Sequence, residues 1–458
     1  MGERPLLEIV VPRAFHPPGR GRQESSGRPG LRRRIRPGGP RVRGAVAHVA
    51  ALPWAGPAAE LSCLERVPLT CSPCLVLSNS RIRWSTGGGR PDRTTGGRDV
   101  AHGPPSTGGG GGAMTALAKA DEGLRGTDRA LEEFFDSGTA HILTDGHRRL
   151  WSALRDATEG GKRLRPRLFH SVYRALGGVD GRAAGHVGAA LELLHTALVI
   201  HDDVIDGDGM RRGKPNVSGT FAAEATDLGR PAGRAGAYGD AAAILAGDLA
   251  LAGAVRLIAR CGADGATTAE LLDALDEALH QSAAGELADV FLSLVADGDV
   301  EGTLTMERHK TAAYSFELPL RSAAVLAGAA AQVRTALEDY ARYVGIAYQL
   351  RDDVSGVFGL EQETGKSVLS DLREGKFTPL IAFARTTSQW PLIAPYLGVE
   401  GLTAHEAGHV RELLELCGAR AFVEELARDF ASRARRSARD LSIAPLLEDW
   451  IRAAGVDA

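Results

Sequence analysis

Two clusters of aspartate, each at the end of an apolar helical stretch and about 150 residues apart, limit what this 458-residue chain can fold into. The first reads His201-Asp202-Asp203-Val204-Ile205-Asp206 and runs on to Arg211-Arg212-Gly213. The second reads Gln349-Leu350-Arg351-Asp352-Asp353 and is followed by Gly365-Lys366. Carboxylates packed this densely beside apolar residues cost free energy unless cations neutralise them. A fold that buries the flanking stretches must therefore also bring a cation to the acids. Hard divalent cations take oxygen donors, and Mg²⁺ commonly keeps several waters and shares a substrate's phosphates. With Arg and Lys beside both banks, the pattern points to a diphosphate held through Mg²⁺.

The formal charge of -3 hides an asymmetry. Residues 1–113 contain 17 Arg, no Lys and 7 acidic residues, so the remainder is strongly acidic. That remainder argues against nucleic acid as the main partner. The first 113 residues are rich in Pro, Gly and Arg, lack a sustained period and close on the run Gly108 to Gly112. They read as a disordered extension, or as a start assigned too early, with the folded domain at 114–458. An organelle transit peptide fits less well, because Glu3, Glu8 and several prolines spoil an amphipathic presequence. Cys71-Ser-Pro-Cys74 has the spacing of half a zinc site but no partner pair. Cys261 and Cys417 read as buried thiols in a reducing compartment. No uninterrupted apolar run reaches the roughly 18 residues of a membrane span. A cytoplasmic location is expected.

From about 115 to 455 the chain is rich in Ala, Leu, Glu and Arg, with apolar residues recurring at three and four. This predicts one large all-α domain of roughly ten or more helices. Taking Leu191 to Asp206 as one helix, Asp202 and Asp206 are four apart and share a face, with His195 two turns earlier. Gly160-Gly161-Lys162-Arg163-Leu164-Arg165-Pro166 places cations on a glycine turn at a helix start, where backbone N–H groups assist anion binding. Arg211 and Arg212 suit bidentate phosphate contacts. Lys310-Thr311 and Lys366 add donors. Gly359-Leu-Glu-Gln-Glu-Thr-Gly365-Lys366-Ser367 mimics a nucleotide-binding loop, but it has five residues between its glycines and follows a helix rather than a strand.

These elements, in this order, resemble the trans-isoprenyl diphosphate synthases (polyprenyl synthetases). The match runs from about 125 to 455 and includes Gly161 to Pro166, Leu193-Leu194-His195-Thr196, both acidic banks, Arg211-Arg212-Gly213, Gly247-Asp248, Lys310-Thr311-Ala312 and Thr364-Gly365-Lys366. The resemblance implies an all-α bundle around a deep central cavity, normally in a homodimer. It implies that an allylic diphosphate ionises and that isopentenyl diphosphate adds to the resulting cation. Asp202, Asp206 and Asp352 would ligate Mg²⁺, supported by Asp203 and Asp353. Arg211, Lys310, Thr311, Gln349 and Lys366 would hold the allylic diphosphate. Lys162, Arg165, His195 and Arg212 would bind isopentenyl diphosphate, and Lys376 would add charge at the site's lid.

Two positions depart from the family pattern. Gly356 stands where a third Asp is usual in the second bank, and Glu286 replaces the usual Gln of Gly285-Glu286-Leu-Ala-Asp289. Ala197 and Leu198 lie one turn before Asp202, where family members close the cavity floor. The small Ala197 favours a product beyond C15, with geranylgeranyl diphosphate (C20) expected ahead of farnesyl or longer chains. A terpene cyclase would lack the Gly-Gly-Lys-Arg-Leu-Arg-Pro turn. A non-catalytic subunit of a heteromeric synthase would be favoured by loss of a first-bank Asp or of Lys310, and both are intact.

Overall fold

The computed structural model describes residues 110–359, 370–399 and 401–455. The Cys71–Cys74 pair, the Gly365-Lys366 step of the nucleotide-loop mimic and nearly all of the expected extension 1–113 lie outside them. The first helix, α1, spans Gly110–Gly138 and so begins four residues before the Met114 expected from the sequence. It is followed by α2 (Asp145–Thr158), α3 (Leu164–Ala175) and α4 (Gly181–Ile205). Then come α5 (Val217–Asp227), α6 (Ala232–Ala259) and α7 (Gly265–Val295).

The helix α4 is the axis of the first half. Asp180 caps it, its Oδ1 accepting the N–H groups of Arg182 and Ala183. Its small and apolar faces pack against α1, α3 and α6. Leu191, Leu193 and Leu194 are almost completely enclosed. Burying one such leucine contributes about 1.5–3 kcal/mol, which holds the helix end bearing the first acidic bank in place. Both α4 and α6 are long and apolar enough to cross a membrane by length and composition, contrary to the sequence expectation. For α4, 78% of the apolar window is buried inside the fold, as in the core helix of a globular domain.

The second half is built on α8 (Val300–Glu307), a π-helical stretch (Arg308–Glu317) and α9 (Leu318–Leu326), which run on as one continuous helix. Against it pack α7 and α10 (Ala331–Phe358), the helix carrying the second bank. A short α11 (Ser370–Glu374) and α12 (Pro379–Arg385) follow. After α13 (Trp390–Ile393) come α14 (Ala404–Leu416), α15 (Ala419–Ala438), which packs on α10, and α16 (Ala444–Ala453). The expected all-α class holds. Among the described residues the strand content is one two-residue ladder, Met210–Arg211 (β1) against Lys214–Pro215 (β2). Its turn is Arg212-Gly213, with φ of 53° and 74°, the pair of positive values that a tight hairpin turn needs. Cys261 is buried, while Cys417 is only half-buried.

Candidate active site

The C-terminal end of α4 presents Asp202 and Asp206 together, as the spacing of four requires. Asp202 Oδ1 lies 3.2 Å from Lys310 Nζ, and Oδ2 lies 3.4 Å from Arg211 Nη2. Burial works to raise the Asp202 pKa, but Lys310, Lys376 and Arg211 outweigh it and hold this carboxyl below its ordinary value. Asp206 Oδ2 is 3.3 Å from Lys376 Nζ, which also meets Glu374 Oε2 at 2.9 Å. Burial dominates at Asp206 and moves its pKa up.

Lys310 sits in the π-helical stretch, a rare geometry that often marks function. Its ammonium also reaches Glu286 Oε1 at 3.0 Å and Asp289 Oδ2 at 2.7 Å, both from α7. That reach depends on Gly285, where a Cβ would collide with the backbone of His309 and Lys310. Burial opposes the charge on Lys310, yet Asp289, Asp202 and Glu286 together raise its pKa. The substitution of Glu286 for the usual Gln thus supplies a third carboxylate to one lysine. Thr311 is half-buried beside it.

Asp203 and Asp353, expected to support the cation site, are buried and hydrogen-bonded within the protein. Asp203 is 3% exposed and receives Arg211 at 2.8 Å from Nε and 2.6 Å from Nη2. Asp353 is buried, with Oδ1 accepting a bond from Gln349 Nε2 at 3.1 Å. The reason is helical: neighbours in sequence point about 100° apart at 3.6 residues per turn, so only one of two adjacent aspartates can face the site. Arg211 and Gln349, expected on the substrate, therefore hold these two inward carboxyls. Asp352 is exposed and remains the outward member of the second bank.

Sequence reasoning missed Glu307. It is 4% exposed, and neither carboxyl oxygen receives a hydrogen bond from a donor. Desolvation, followed by the Asp353 charge, moves its pKa well up, and desolvation pushes Asp353 up to about 7. The two carboxyls can bond to each other only through a shared proton. No local spacing signals it, because the group that faces it, Asp353, lies on another helix.

A cavity of about 890 Å³ is lined by Gly160, Gly161, His195, Arg211, Arg212 and Lys214 together with the acids Asp156, Glu159, Glu192 and Asp203. Gly160 and Gly161 adopt φ of 79° and 74°, and the Arg212 guanidinium packs against them. His195 is kept neutral by burial first and then by Arg165, Arg211, Arg212 and Arg163. It can therefore donate one N–H to an anion without carrying charge. Lys162 is exposed on the turn. Arg165 is engaged elsewhere: Nη2 donates to Tyr314 Oη at 3.0 Å and Ser315 Oγ at 2.7 Å, and its guanidinium lies over the Tyr314 ring. Arg163, unassigned by sequence, pairs with Glu192 at 2.9 Å and donates to the Thr158 carbonyl. Lys366 lies outside the described residues. Ala197 has no accessible surface, whereas Leu198 is half-buried.

Burial is the first cause of the upward shifts at Asp206, Glu286 and Glu307, and neighbouring carboxylates add to it. Asp202, Asp206 and Asp352 are oxygen donors suited to a hard divalent cation. Among the described residues, no three His, Cys, Asp or Glu side chains gather tightly enough to close a metal site by themselves. A cation here needs further oxygens, such as those of phosphates and water.

A polyprenyl synthetase family model matches residues 147–406, which is more than half of the chain and includes both banks, the hairpin and Lys310. The chain belongs to the polyprenyl synthetase family. It is accordingly a prenyltransferase, of a family that binds isoprenyl diphosphates and depends on divalent metal. It is 34% identical over 280 residues to geranylfarnesyl diphosphate synthase of Aeropyrum pernix, covering 60% of this chain and 82% of that one. It is 30% identical over 299 residues to octaprenyl diphosphate synthase of Escherichia coli (strain K12), covering 64% and 84%. The fold is similar to the crystal structure of geranylgeranyl pyrophosphate synthase from Corynebacterium glutamicum complexed with isoprenyl diphosphate and magnesium. That match has a TM-score of 0.68 at 29% identity and covers 74% of this chain and 98% of that one. The names of these relatives differ in product length, so membership leaves the length of this chain's product open.

Proposed function

We propose that this synthetase condenses isopentenyl diphosphate with an allylic diphosphate in a Mg²⁺-dependent reaction, giving all-trans geranylgeranyl diphosphate (C20). The observation that carries the reading is Arg211, which meets Asp202 beside Lys310 and also lines the cavity containing His195 and Arg212. Asp202, Asp206 and Asp352 would hold Mg²⁺, which when bound stabilises the charge that develops on the departing diphosphate. Lys310 and Lys376, already beside those carboxylates, can turn to the same oxygens. On the other side, Arg212 and neutral His195 would orient isopentenyl diphosphate, so that its double bond meets the allylic carbon as ionisation proceeds. Val199 and Ile200 of α4, which line the cavity beside His195, would keep water from the cation.

The C20 length is supported by the similarity to the Corynebacterium enzyme and by the small Ala197. Because Ala197 is fully enclosed, Leu198 is the better handle on the floor. The test is to incubate the full chain with isopentenyl diphosphate, Mg²⁺ and geranyl or farnesyl diphosphate, then separate products by length. We expect a C20 product from wild type, a shorter one from Leu198→Phe and a longer one from Leu198→Ala. Unchanged lengths in both variants would move the floor to another helix, and no consumption of isopentenyl diphosphate would refute the activity.

The active form is proposed to be a homodimer. On α7, Leu287, Val290, Phe291 and Leu294 form an exposed apolar stripe, between 43% and 80% accessible. Ile244 and Leu245 on α6, which packs against α7, are exposed as well. A continuous apolar patch of this kind marks an association surface. Sedimentation should show a dimer for wild type and a monomer for the pair Phe291→Glu/Leu294→Glu; a monomeric wild type would remove the proposal.

A further inference from the structure

A second, smaller cavity lies where α1 and α3 meet the start of α4, and the proposed reaction does not use it. Its volume is about 220 Å³, below the roughly 300–1,000 Å³ of sites that enclose drug-sized ligands. It is lined by Arg125 and Arg129 of α1, by His170 and Arg174 of α3, and otherwise by glycine and alanine. Among the described residues that line it, none is acidic. The backbones of α1 and α4 touch beside it: a Cβ on Gly185 would lie 2.8 Å from the Gly126 carbonyl oxygen. Gly126 and Gly181 put no side chain into the space next to that contact.

Arg125 and Arg129, four apart, share a face of α1, where like charges repel. Among the described residues neither has a carboxylate partner. The nearby Asp128 and Asp136 are taken by Arg163 at 3.6 Å and Arg155 at 3.1 Å. Arg174 places one nitrogen on the Gly178 carbonyl at 3.3 Å and the other beside Gly181. His170 is an independent sign of a ligand. It is 1% exposed and its Nε2 is bonded to Thr127 Oγ1 at 2.8 Å, but Nδ1 has no hydrogen-bond partner. That nitrogen faces Gly123, itself a lining residue, where a Cβ would approach it to 2.6 Å. A buried ring nitrogen without a partner costs free energy that a ligand here would remove. Burial, and then Arg174, lower the His170 pKa to about 4, so at pH 7 the ring is neutral and carries one N–H.

We infer that this cavity binds a phosphate-sized oxyanion, a free phosphate or diphosphate ion, held by Arg125, Arg129 and Arg174 and by the Nδ1–H of His170. Guanidinium groups suit phosphate oxygens through paired N–H donors. The Thr127 hydroxyl donates to Nε2, which leaves the ring hydrogen on Nδ1, directed at the anion. The first acidic bank lies roughly 30 Å away along α4, and the site stands whether or not the proposed function holds.

The test is calorimetric titration of orthophosphate, and separately of diphosphate, into the full chain in EDTA. Arg212 lines the larger cavity, so the Arg212→Gln variant reduces anion binding there and serves as the background. In it we expect a remaining site for one of the two ions, and the tighter ion identifies the occupant. Adding Arg125→Gln/Arg129→Gln should weaken that site at least about tenfold, the scale of losing one charge-assisted hydrogen bond. His170→Gln keeps an amide for Thr127 but places nothing at Nδ1, and should weaken it several-fold. Affinity unchanged by the arginine pair, or no binding of either ion in the background variant, would overturn the inference. Circular dichroism checks each fold. Should His170→Gln unfold, the arginine pair, exposed and outside the core, decides alone.

Discussion

Replacing Lys310 by alanine is expected to cost the metal-free protein about 3 kcal/mol at pH 7, the scale for stripping the partner from buried opposite charges. The ammonium side chain is only 18% exposed and lies within 3.2 Å of Asp202, Glu286 and Asp289. Its removal leaves three carboxylates facing one another with little water to screen them. The loss should depend on pH in a definite direction. Lys310 helps to hold the Asp202 pKa below its ordinary value. The stability it gives through Asp202 is therefore present above the unfolded carboxyl pKa and lost as pH falls through the depressed folded value. Urea unfolding in EDTA should show the gap between wild type and Lys310→Ala wide at pH 7 and narrowing below about pH 4, where unfolded aspartate titrates. Added Mg²⁺ should narrow it at pH 7, since another cation then meets the same acids. A gap that stays constant from pH 7 to pH 3 would mean that Lys310 acts through packing rather than charge.

Much of this site was legible in the sequence, because helical periodicity converts spacing directly into direction. Asp202 and Asp206 fall on one face at the end of α4, where Lys310 and Lys376 meet them. The Gly160-Gly161 turn and Arg212 were separately readable as anion-binding elements. That the guanidinium packs on those glycines follows from the hairpin turn at Arg212-Gly213, which helix-centred patterning passes over. The inward positions of Asp203 and Asp353 were within reach of the same periodicity. Adjacent residues cannot share a helix face, and Gln349 and Asp353, four apart, must. The family resemblance, which groups all aspartates of a motif, obscured that geometry. Glu307 was harder to see. Its role depends on where α10 and the π-helical stretch meet, which is tertiary information that local spacing does not carry.

Asp202→Asn and Asp203→Asn should separate the two orientations by opposite signatures, although the residues are neighbours. Asn at 202 keeps the size of the side chain and removes its charge. Lys310 retains Glu286 and Asp289, and Arg211 retains Asp203, so the metal-free fold should be nearly undisturbed. Turnover, in contrast, should fall by about 10²–10³, the loss typical of removing one group that stabilises charge in a transition state. Raising Mg²⁺ should recover part of it, because the first effect is on cation affinity. At 203 the change falls on a buried acid that receives both Nε and Nη2 of Arg211. Losing that charge leaves Arg211 with Asp202 alone, so unfolding should come at lower temperature while the Mg²⁺ requirement of the surviving enzyme changes little. Steady-state rates across a Mg²⁺ titration, set beside thermal melts in EDTA, give both readouts on each variant. If Asp203→Asn shifts the Mg²⁺ requirement as strongly as Asp202→Asn, then Asp203 turns outward when substrate binds, and the division of each bank into an outward and an inward carboxylate fails.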